Sequence, residues 1–152
     1  MKRISNILIY VLIPTLIGGL IYIASRSKTL KMFNWFEKMN LSNEIETIRN
    51  YFVGIELPNW IVYNLPDLLW VFSFTSFLLL IWNKRIEKEN LFYILFPMCI
   101  GVFSEIGQFF SIINGTFDRL DIIFYVFGGF SSILIISKLK INKNEKTITS
   151  HF

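Results

Sequence analysis

Four apolar blocks limit this chain more than any other feature. They cover roughly 7–24, 67–82, 91–112 and 118–136 of the 152 residues. About 20 apolar residues in a helix match the hydrocarbon thickness of a bilayer. Blocks of that size take up roughly half the chain and leave no room for a separate soluble domain. The expected fold is an all-α integral membrane domain spanning 1–152, with four transmembrane helices. Composition agrees: 53% of residues are hydrophobic and 17% charged, against about 25% charged in a typical soluble domain.

The first block follows a short basic start with Lys2 and Arg3. It exceeds the usual 7–15 apolar residues of a signal peptide, and Ile23-Ala24-Ser25 is a poor cleavage site, so an uncleaved helix is expected. Pro14 and Gly18-Gly19 lie inside it, residues that membrane helices tolerate. The long polar connection 25–66 is rich in aromatic residues. Leu30 to Met39 and Glu44 to Val53 have the pattern of short amphipathic helices at a membrane surface, with Ser42 or Asn43 as a cap for the second. A third short piece is expected after Leu57-Pro58. Pro66 suits the first turn of the second apolar helix, where a missing N–H costs nothing. A charged turn (83–90) and an Asn114-Gly115 turn join the later helices, and 137–152 is a basic tail.

Charge sets the expected orientation. With both termini cytoplasmic, nine of the 15 Lys and Arg fall on the inner side, in much shorter segments than the other six. Eight of the 11 acidic residues fall on or near the outer side. The net charge of +4 is then a topology signal, and nucleic acid is not an expected partner. The single cysteine, Cys99, excludes an internal disulfide or a multi-cysteine zinc site. The lone histidine, His151, lies in the tail, far from any Ser-His-Asp arrangement.

The stretch from Ser104 to Asp121 carries the unusual chemistry. Glu105 and Gln108 are spaced i, i+3 and share a helix face, as do Asp118 and Asp121, with Tyr125 one turn further on. Asp67 opens the second helix at the same level, and Trp70 continues its face. These side chains are expected to converge on one outward cleft able to bind a cation, hold a sugar or amine head group, or supply an acid and a base. Each has a plainer reading. Asp118 and Asp67 are good N-caps, and Asp121 suits a helix N-terminus. Gln108 can be interhelical glue, and Glu105, about two turns inside its helix, can pair with Arg119.

The run Glu105-x-x-Gln108-Phe109, a short turn, Phe117-Asp118-x-x-Asp121 and then Gly128 resembles the core signature of the VanZ-like family of small bacterial membrane proteins. Asp67 is similar to that family's acidic helix start. Gly115 and Tyr125 stand where the family usually has Arg and Asn, and Leu68 and Val71 where Lys and His often follow. The resemblance implies a multi-pass protein of the bacterial cytoplasmic membrane, with an outward acidic cleft that binds or acts on a lipid-linked glycan or glycopeptide. In that scheme Glu105 and Asp121 are the catalytic pair, and Asp67, Gln108, Asp118, Trp70 and Tyr125 bind ligand. Membrane lipid is the expected partner, no particular cofactor is implied, and oligomeric state stays open. The alternative from another class is an accessory subunit that docks on a larger membrane protein through its aromatic loop, Met32 to Tyr63.

Overall fold

The computed structural model describes residues 2–139, and every regular element among them is helical. Lys140, Lys143, Glu145, Lys146 and His151, in the expected basic tail, lie outside the described residues. Helix α1 (Lys2–Ile7), a π turn (Leu8–Leu12) and α2 (Ile13–Ser25) form one continuous N-terminal rod. The wide turn has a sequence cause. Pro14 has no N–H for the Tyr10 carbonyl, and the widened turn, in which the Ile13 N–H reaches Leu8, relieves its ring.

The connection folds as α3 (Lys31–Lys38), α4 (Ser42–Tyr51) and α5 (Asn59–Tyr63). The expected cap of α4 is absent: Leu41 occupies the N-cap and no side chain caps it. Arg49 fastens this connection to the rod. Its Nη1 donates to the carbonyls of Ile23 (2.6 Å) and Arg26 (2.9 Å), acceptors left over at the rod's C-terminus. Lys28 and Glu46 form an ion pair alongside.

The remaining elements are α6 (Leu65–Ile81), α7 (Lys88–Phe109) and α8 (Arg119–Lys138). Three helical stretches are long and apolar enough to cross a membrane: Arg3–Ser25, Lys88–Phe109 and Arg119–Lys138. Leu65–Ile81 has 17 residues, about 25 Å of helix against about 30 Å of hydrocarbon. It begins two residues before the expected start, so Asp67 lies in the first turn and is not its cap. Helix α7 stops at Phe109 rather than Ile112. Ser111 takes a left-handed φ of 57°, and the N–H groups of Ser111 and Ile112 return to the Gln108 and Gly107 carbonyls, which closes the helix. Glu105 is therefore one turn from its helix end, not two.

Helix α6 is central, packed most extensively on α8 and also on the rod and α7. Successive long helices run in opposite directions. One end of the bundle holds an apolar cluster of Leu79, Leu80, Ile94 and Ile136, with Ile7, Tyr10 and Val11 of the rod against it. The opposite end gathers the start of α6, the end of α7, the start of α8 and the end of the rod. Burial runs against the pattern of a soluble bundle. Ser73, Thr75, Ser76, Asn90, Glu105 and Ser132 are buried, and the Ser76 and Ser132 hydroxyls meet at 2.9 Å. Leu16, Phe92, Phe103 and Phe127 are each more than 60% exposed. Small polar contacts inside and apolar side chains outside suit a lipid surrounding.

Candidate functional site

Glu105 is the anchor of the polar end. It is 2% exposed. Its Oε1 accepts from Gln108 Nε2 at 3.0 Å and its Oε2 from the Asp118 backbone N–H at 3.1 Å. The expected pairing with Arg119 does not form: the carboxylate grips the backbone just ahead of α8 instead. Asp118 is the N-cap of α8, as its sequence position suggests, with Oδ1 accepting from the Leu120 N–H at 2.8 Å. Together these bonds lock the end of α7 to the start of α8 across thirteen residues.

Gln108 stays on its own helix rather than bridging to another, and its side chain packs over Gly115. A Cβ at 115 would push the end of the Gln108 side chain aside, and the φ of 157° there favours glycine. The tight 107–117 connection therefore depends on a residue that the family resemblance does not include.

Asp121 lies in the first turn of α8 and accepts from Asn64 Nδ2 at 2.6 Å. Asn64 is 2% exposed and joins α5 to α6. Sequence reasoning missed it, because it precedes Leu65-Pro66 and reads as loop. Asp67 is half-buried on α6, within electrostatic reach of Asp121, Tyr125 and Glu105. The Tyr125 ring lies flat over Gly101 of α7, where a Cβ would fall within 2.8 Å of ring carbons. The missing side chain at 101 thus brings the hydroxyl of α8 into the cluster.

Arg26 is the second missed residue. Its guanidinium stands over the Tyr22 and Tyr63 rings, 5.1 and 4.7 Å from their centroids, a favourable cation–π arrangement. Its charge also reaches Asp67 and Asp121. The only hint in the sequence is that it is the first cation after the first apolar block. The polar end thus gathers four carboxylates (Asp67, Glu105, Asp118, Asp121), with the Arg26 charge reaching two of them. Among the described residues no three His, Cys, Asp or Glu side chains are grouped to hold a metal ion, which removes the simplest form of the cation reading.

Trp70 points elsewhere. It contacts Phe74, with ring centroids 5.9 Å apart, and lines an open groove of about 500 Å³ between the rod, α3 and α6. Gly18, Gly19, Tyr22, Met32 and Phe36 form most of its wall, and Asp67 is its one charged residue. Asp67 therefore belongs to both the polar cluster and the apolar groove. A site with an apolar wall and a few convergent polar groups has the form of a small-molecule pocket. The chain matches no family model, no curated protein and no solved structure.

Proposed function

We propose that this is a VanZ-like multi-pass protein of a bacterial cytoplasmic membrane, with four membrane helices, both termini cytoplasmic and the 25–66 connection outside. Its acidic end binds or acts on the polar head of a cell-envelope amphiphile such as a lipid-linked glycan or glycopeptide. The observation that carries this reading is that Asp67 is shared by a converging set of carboxylates and an apolar groove. An amphiphile has the same two-part character.

In this reading Asp67 and Asp121 meet the polar head, Tyr125 and Asn64 orient them, and Glu105 orders the site from behind. Proton transfer by Glu105 with Asp121 as its partner uses a carboxylate lone pair that neither of its two donors occupies. Glu105→Gln is a clean probe of that step. The new amide can still accept from the Asp118 N–H and donate to Gln108 after a flip of the Gln108 amide. Stability should hold, and turnover of an envelope substrate should be lost if Glu105 carries protons. The test of binding is a photocrosslinking residue at Leu120, beside Asp121, in growing cells. The expected product is an amphiphile adduct identified by mass; adducts only with proteins would refute the reading.

A second reading, an accessory subunit of a larger complex, is favoured by the exposed aromatic side chains of the connection. Trp35 is 63% exposed, Tyr51 80% and Trp60 48%. A crosslinker at Trp35 that captures one protein in stoichiometric yield, with Glu105→Gln silent, selects it.

A further inference from the structure

We infer that the groove between the N-terminal rod and α6 holds an acyl chain of a phospholipid with a primary-amine headgroup, its ammonium on Asp67 and its phosphate beside Arg26. The inference rests on the reading that the polar end receives the head of an amphiphile, and it names the class.

Three features select this occupant. The groove wall is built of Gly18, Gly19, Ile23, Met32, Phe36 and Trp70. Such a wall offers dispersion contacts to a hydrocarbon chain and almost nothing to a glycan. Its volume of about 500 Å³ lies within the usual range for small-ligand pockets, about 300–1,000 Å³. The charges then sort the head group. Asp67 is the one charged residue lining the groove and feels the charges of Asp121 and Glu105, so this end of the groove favours a cation. A primary ammonium has three N–H donors for these oxygens, whereas a quaternary ammonium has none.

Arg26 supplies the complementary charge. It forms no ion pair within 4.0 Å among the described residues, and it rests on Tyr22, itself part of the groove wall. Its guanidinium is thus free to take a phosphate beside the groove, and arginine suits phosphate geometry. A carboxylate on the groove wall and a guanidinium resting on the wall residue Tyr22 match the two charges of a phosphoethanolamine head, with the chain leading away along the rod.

Gly19 gives a direct handle on the chain. It lines the groove, and a Cβ there meets nothing within 4 Å. Gly19→Phe therefore adds bulk at the groove wall with no clash at its Cβ.

The full-length protein, purified in detergent, is titrated with dioleoyl phosphatidylethanolamine, phosphatidylcholine or phosphatidylglycerol, and retained lipid is counted by native mass spectrometry. Phosphatidylethanolamine should bind about tenfold more tightly than the other two, as a charge-assisted hydrogen bond implies. Asp67→Asn should erase that preference. Arg26→Gln should weaken all three lipids, and Gly19→Phe should abolish retention of all three with an unchanged circular-dichroism spectrum. Equal binding of the three lipids by the wild-type protein overturns the head-group assignment. Undiminished retention by Gly19→Phe overturns the groove. If Asp67→Asn fails to fold, the wild-type preference decides alone. Either failure, together with a glycan-bearing adduct at Leu120, leaves the broader reading standing and removes only this one.

Discussion

Alanine at Gly128 should destabilise this protein, whereas alanine at Gly19 should stabilise it. The two substitutions are chemically identical and both fall in helices. In each, replacing glycine lowers the entropy lost on folding, a gain of about 0.5–1 kcal/mol. At Gly19 nothing opposes that gain. At Gly128 the new Cβ would stand 2.6 Å from the Leu68 carbonyl oxygen and 3.3 Å from its Cα and carbonyl carbon. These are backbone atoms of α6, so no side chain can swing away. Helices α6 and α8 must separate by several tenths of an ångström at their most extensive contact. Such overpacking costs about 1–3 kcal/mol, for a net loss of about 1–2 kcal/mol. Gly129 is a control between the two. Its Cβ would meet the flexible Met98 side chain, at 3.2 Å from Sδ, and should come out near neutral. The assay is reversible unfolding in mixed micelles, followed by far-ultraviolet circular dichroism. The expected order of stability is Gly19→Ala, Gly129→Ala, Gly128→Ala. A Gly128→Ala protein as stable as Gly19→Ala would refute the close α6–α8 approach.

Asn64→Ala leaves Asp121 without its 2.6 Å donor and should cost about 1–3 kcal/mol in the same unfolding assay; Asn64→Asp, which sets two carboxylates together, should cost more. Arg49→Met removes two charge-assisted bonds to the rod's terminal carbonyls, and should free the 26–64 connection, seen as faster amide exchange there with α6–α8 protection unchanged. Lys28, through its hydrogen bond and charge, holds the exposed Glu46 carboxyl below its ordinary 4.5. A lowered folded value means the pair's contribution is present above pH 4.5 and lost as pH falls through the folded value. Protection of the α4 amides relative to their intrinsic exchange rates should therefore fall with acidification below pH 4.5, and Glu46→Gln should remove that dependence.

Several features of the site are local, and those were legible in the sequence. Asp118 caps α8 because a cap depends only on a side chain and the N–H two residues on. The shared faces of Glu105 with Gln108 and of Asp121 with Tyr125 follow from helical spacing. Helix ends were read less well. The closing turn after α7 rests on Ser111 in a left-handed conformation, which is uncommon for serine and carries no clear sequence mark. The start of α6 was set by Asn64 and Leu65 ahead of Pro66, so the role assigned to Asp67 moved from cap to floor of a groove.

By itself the sequence determined that the chain is helical, that its long helices are apolar on their outer surfaces, and that its acids collect near particular helix ends. Those properties depend on residue type and on spacing of a few residues. The tertiary structure alone decided the partners. Asn64 reaches Asp121 across fifty-seven residues, Arg49 reaches Ile23 across twenty-six, and Arg26 comes to rest over the Tyr63 ring. Contacts of that range depend on how the helices pack. Here glycines at 101 and 128 set how closely they do so, and no local pattern encodes which backbone or ring will fill the space each one leaves.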